Sequence, residues 1–189
     1  MIVPNRNELV RIFEEISPSE PFGARDRAMI VLLANTALRV SELAGLDVHH
    51  LVEFGEVRDH VDVPREWAKG SHSRRVPLNT GARKAVAAIL CFNDARGFST
   101  APDAPLLQDR WHRRLPVRSI QRMLQKYRER AQVSDGVTPH ALRHYGADRA
   151  LHRGANVRHL QTWLGHKRLE TVQVYTRTHP EDLRQTVGL

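Results

Sequence analysis

The chain has 189 residues, 41% of them apolar, with 29 Lys+Arg against 21 Asp+Glu and a formal net charge of +8. That length suits one domain with a real core. The positive surplus asks for a polyanionic partner, nucleic acid ahead of an anionic membrane surface. One cysteine, Cys91, excludes an intrachain disulfide and a Cys-based metal centre. Its neighbours, Ala85 to Phe92, mark it as a small buried hydrophobe. The longest apolar run, Ala28 to Ala34, is too short to span a bilayer. The N-terminus lacks the layout of a signal peptide, so a cytoplasmic protein is expected.

In chain order, Pro4 and the Asn5 to Glu8 start predict a helix over about Asn7 to Ile16, broken by the Pro18 and Pro21 segment. Ala24 to Asn35 is apolar over most of its surface and predicts a buried helix. Ser41 and Glu42 begin a short helix through Leu46. In Glu56 to Leu78, Val57, Val61 and Val63 alternate loosely with polar residues. A polar turn at Ala68 to Ser71 then precedes Arg74 to Leu78, which predicts one small antiparallel sheet. Asn79 or Thr80 can cap a helix over Gly81 to Ala95. Val117 to Gln132 is amphipathic: Ile120, Met123, Leu124 and Tyr127 form one face, Arg118, Arg122 and Lys126 the other. Thr138-Pro139 starts a helix that stops at Gly154. Val157 to Leu164 forms another, ended by Gly165. Thr171 to Thr178 predicts a last short helix. The fold class is mainly α with a small antiparallel β-sheet (α+β).

The densest polar chemistry lies in the C-terminal half. His140 and Arg143 are three apart and share a helix face. They sit in the first turns after a capped start, where free backbone N–H groups favour an anion. His166 follows Gly165, and Tyr175 lies nine residues further on. His140 and His144 have the i, i+4 spacing of a zinc helix. The intervening Ala-Leu-Arg lacks a metalloprotease glutamate and places a cation inside the pair, so no metal is expected.

These segments resemble the boxes of the tyrosine recombinase (phage integrase) family. Thr138-Pro-His-Ala-Leu-Arg-His144 is similar to its His-x-x-Arg box, Leu164-Gly-His166 to its Leu-Gly-His box, and Thr171-Val-Gln-Val-Tyr175-Thr to its nucleophile segment. Thr36-Ala-Leu-Arg39-Val-Ser-Glu-Leu43 resembles the first arginine box. Ala68-Lys69-Gly70 with Val76-Pro77-Leu78 resembles the β-hairpin lysine and its trailing strand. All five occur in family order, from Thr36 to Thr176.

The resemblance implies the catalytic-domain fold of that family over residues 1–189, and DNA strand cleavage and rejoining through a 3′-phosphotyrosyl intermediate, without cofactor or metal. Arg39 and Arg143 would clamp the phosphate, with His166 adding a hydrogen bond. Tyr175 would attack, His140 would take its proton, and Lys69 would protonate the leaving 5′-oxygen. Glu42, one turn from Arg39, would orient that guanidinium, or be an ordinary surface acid. Arg74, Arg75, Arg118, Arg122 and Lys126 would touch double-stranded DNA, on which the family implies a homotetramer assembled from free monomers. Two other readings stay open: topoisomerase IB-like relaxation, and a DNA-binding module with latent catalysis. The chain departs from the family at Ala37, where glycine is usual and a left-handed residue would cost something like ~1 kcal/mol. Measured against the family, it is expected to begin almost at the catalytic domain, without the N-terminal DNA-clamping domain, and to carry only a short tail, residues 180–189, either as a fragment or as an unusually small protein.

Overall fold

The structure, a computed structural model, describes residues 3–67 and 73–165. It is mainly α-helical with small antiparallel sheets, and most of its buried apolar residues form one cluster. The predicted helix over Thr171 to Thr178 and the 180–189 tail lie outside the described residues.

Helix α1 (Arg6–Glu14) opens on a capping box: the Asn5 side chain accepts from Glu8 N–H and the Glu8 carboxylate accepts from Asn5 N–H, both at 2.9 Å. Helix α2 (Gly23–Thr36) is the centre of the fold. It packs against α4 (Thr80–Ala95) and α6 (Pro139–His152), which explains its apolar residues on nearly every side. The α2–α6 contact is close because position 146 is glycine. A Cβ there would stand 2.7 Å from the Ala34 carbonyl oxygen, a backbone atom that cannot swing aside. Gly146→Ala should therefore destabilise by roughly 1–3 kcal/mol, despite the ~1 kcal/mol that alanine gains in helix propensity. A shift of the urea midpoint at constant slope measures it.

Helix α3 (Val40–Gly45) follows α2 after a sharp reversal, and α5 (Val117–Arg130) and α7 (Val157–Leu164) complete the set. The structure corrects two sequence expectations. There are two separate two-stranded sheets instead of one: β1 (Val52–Glu53) with β2 (Glu56–Val57), and β3 (His60–Val63) with β4 (Arg74–Pro77). Both pairs are antiparallel. Phe54 and Gly55 turn the first hairpin, both with positive φ. Cys91 is exposed, not buried. Helix α4 turns Ala82, Ala85, Val86, Ile89 and Asn93 inward, and Cys91 falls between those positions on the outer face. No helix among the described residues is long and apolar enough to cross a membrane.

Candidate active site

The site is built where three helix ends meet. Helix α2 stops at Thr36, whose hydroxyl donates to Leu32 O, and Ala37 follows in the left-handed region (φ 51°, ψ 26°). The glycine-like position that the sequence suggests is thus occupied by a buried alanine. This turn lets Leu38 enter the core and brings Arg39 to the start of α3.

Glu42 is fully buried and binds the cations around it. Its Oε2 accepts from the Arg39 backbone N–H at 2.7 Å, and its Oε1 from the Arg39 guanidinium at 2.8 Å. Arg74 adds a two-pronged pair, at 2.9 and 2.7 Å. Arg143 Nη1 stands 3.9 Å from Oε2. Burial alone would push the Glu42 carboxyl up, but hydrogen bonds from Arg74 and Arg39 outweigh it and hold the pKa below the ordinary value. Among the described residues, three guanidinium charges face one carboxylate, an excess of positive charge in a poorly hydrated corner. Such an excess suits an anion.

Arg143 comes from the second turn of α6, whose start is capped by Thr138 Oγ1 accepting from Ala141 N–H. Only 3% of it is exposed. Its Nη1 donates to Ala37 O at 2.6 Å and its Nη2 to Leu164 O. Arg74 Nε donates to Trp163 O at 2.9 Å. Two arginines therefore satisfy carbonyls in the last turn of α7, where the helix dipole favours cations. Gly165 (φ 66°) ends that helix against the Arg74 side chain. The last turn before His166 is thereby tied to α2, α6 and β4.

His140 lies on the exposed side of α6, its Nε2 2.9 Å from Nε2 of the buried His144. Partial burial, then the charges of Arg143 and Arg39, hold its pKa below the ordinary histidine value. It is therefore neutral at neutral pH and can accept a proton.

The structure brings together Arg39, Glu42, His140 and Arg143 from the sequence-selected set. Lys69, His166 and Tyr175 lie outside the described residues. Arg74 needs correction: expected at DNA phosphate, its side chain is buried against Glu42. The signal was the period of two in β4, since Arg74 shares its face with Val76, which is fully buried. Arg75 points outward and pairs across the strands with Asp62. Arg118 and Arg122 are exposed and form no ion pair with another described residue. Lys126 is exposed too, but its ammonium pairs with Glu20, which also takes Arg130 and the Tyr127 hydroxyl.

Asp47, His49 and His50 also converge, with ligand atoms within 4.8 Å of one another. His50 Nδ1 accepts from Asp47 N–H, so the neutral ring carries its proton on Nε2. The Asp47 carboxylate pairs with Arg114. The group is engaged as a turn-fixing network.

The sequence profile of the Phage integrase family matches residues 5–182. The tyrosine recombinase XerC of Escherichia coli O127:H6 is 35% identical over 165 residues, which cover 86% of this chain and 51% of that protein. The chain thus spans about half the length of the curated relatives it matches. The crystal structure of XerA recombinase aligns with TM-score 0.77 at 27% identity, over 98% of this chain and 62% of that one. The Tn1549 transposon integrase, in complex with circular intermediate DNA, aligns with TM-score 0.76 at 19% identity, over 99% of this chain and 66% of that one, a likeness of fold.

Proposed function

The chain belongs to the phage integrase family, and we propose that it is a site-specific DNA recombinase that cuts and rejoins double-stranded DNA through a phosphotyrosine. The observation that carries this reading is the Glu42 cluster. It holds Arg39 and Arg143 side by side, beside a neutral His140, with an excess of positive charge among the described residues that a phosphodiester would balance.

A phosphodiester under attack builds charge on its nonbridging oxygens, and fixed guanidinium donors aimed there lower the barrier by several kcal/mol. Arg39, about one-third exposed, is the guanidinium open to such an oxygen. Arg143 would hold the phosphate from below, with His166 donating a further hydrogen bond. The Tyr175 hydroxyl attacks phosphorus, His140 takes its proton, and Lys69 supplies one to the departing 5′-oxygen. The phosphotyrosine conserves the bond energy, so a second 5′-hydroxyl reverses the step without fuel. Arg118 and Arg122 are the exposed cations of α5 best placed to be free for DNA backbone, with Arg75 and Lys126 exchanging their carboxylate partners for phosphate. We read residues 1–189 as the catalytic domain, acting in the cytoplasm as a tetramer on DNA assembled from monomers.

Incubation with nicked suicide substrates tests this. A covalent protein–DNA adduct is expected, and peptide mapping should place it on Tyr175. An adduct mapped elsewhere, or none across a library of nicked sites, overturns the reading. Relaxation of supercoils without strand exchange would move the assignment to topoisomerase-like chemistry.

A further inference from the structure

We propose that His144 is a positioning residue: it accepts a hydrogen bond from His140 and so leaves the other ring nitrogen of His140 free to take a proton. The inference rests on the reading of His140 as the base that serves the tyrosine. His144 itself touches no reacting atom in that scheme.

The observation is a bond between two rings one helical turn apart. Their Nε2 atoms are 2.9 Å apart, with ring centroids at 4.4 Å and planes at 88°. Such a bond contains one proton, so one nitrogen donates and the other presents a lone pair. A neutral imidazole has one nitrogen of each kind. The choice at Nε2 therefore dictates the state of Nδ1. If His144 donates, His140 must carry its proton on Nδ1, and no lone pair of His140 is left to accept another. If His140 donates, its Nδ1 is bare. That nitrogen belongs to the more exposed of the two rings and makes no hydrogen bond to another described residue. Only the second arrangement lets His140 act as a base.

The groups facing His140 favour one shared proton over two. Arg143 from its own helix and Arg39 from the α2–α3 corner both oppose a resting imidazolium, with Glu42 behind them compensating part of their charge. During attack, the tyrosine proton passes to His140 Nδ1 while the oxygen's electron pair forms the new P–O bond. The bond to the 5′-oxygen breaks, and that oxygen is protonated by Lys69. His140 is then an imidazolium whose Nε2–H points at the lone pair of His144 Nε2. A bond from a charged donor is roughly twice as strong as its neutral form, so the pair strengthens when charge arrives. The same logic orients the histidine of a hydrolase triad, with an accepting imidazole nitrogen here in place of a carboxylate.

Two measurements on the full chain test the inference. Nitrogen-15 NMR of the DNA-free protein at mildly alkaline pH reads the His140 tautomer directly, and Nε2–H is expected. Single-turnover cleavage is then compared for His144→Leu, which cannot accept, and His144→Gln, whose amide oxygen can. His144→Leu should cleave roughly 10- to 100-fold more slowly. Its acid limb should move to lower pH, because an unsupported imidazolium is a weaker base product. His144→Gln should recover most of the rate, with both variants melting cooperatively. Nδ1–H on His140, wild-type cleavage by His144→Leu, or equal loss in two folded variants would overturn it. If wild-type protein forms no adduct, the recombinase reading fails, and the tautomer alone decides this inference.

Discussion

Glu42→Gln is expected to destabilise the protein by about 3–5 kcal/mol, the usual consequence of leaving a buried cation without its partner. The stranded group is Arg74, whose side chain is 2% exposed and which gives two of its donors to that carboxylate. For a chain of this size each kcal/mol lowers the melting temperature by roughly 2–4 °C. The effect must depend on pH. Glu42 titrates below 4.5 in the folded protein and near that value when unfolded, so its stabilisation is complete above pH 4.5. It is lost as pH falls through the lower folded value. Denaturant titrations of wild type and Glu42→Gln should thus diverge at neutral pH and converge in acid. A constant gap down to the acid limit would show that the carboxylate charge is not what holds the cluster. Replacing the pair together, Glu42→Leu with Arg74→Met, should return much of the stability. It should not return cleavage, because Arg39 loses both contacts that aim it.

The second large effect separates chemistry from architecture. Tyr175→Phe removes the only group that the proposed reaction uses as nucleophile, so adduct formation should vanish while DNA binding at low salt persists. Arg143→Ala should reduce adduct formation by about 10²–10³-fold, the scale for losing one fixed donor to a developing oxyanion. It should also lower the melting temperature, since the side chain joins Ala37 O to Leu164 O across the core. Arg143→Lys keeps the charge but has no planar fork to span both carbonyls, so it should recover little of either property. Gel shifts and melting curves on the same preparations check both arms. Undiminished adduct in Tyr175→Phe would reject the nucleophile assignment.

Much of this was legible in the residues alone. The Asn5, Asn79 and Thr138 caps, the Gly165 stop and the helical spacing of Ile120 to Tyr127 are local signals, and local backbone physics acts on them wherever the segment lies. The spacing of Arg39 to Glu42, and of His140 to Arg143, likewise placed each pair on one face before any packing was known. Other features depended on partners distant in the chain. Cys91 sits in an apolar run, and only the side from which α2 meets α4 determines that it faces out. Val57 and Val61 look like one strand region, yet they pair in different hairpins. The sequence by itself determined the fold class and a set of residues suited to phosphate chemistry. Only the tertiary structure decided that Glu42 is the partner that buries Arg74, that Glu42 gathers three arginines, and that His144 engages His140. A buried charge is fixed by whatever neutralises it, and for Arg74 that partner lies 32 residues away.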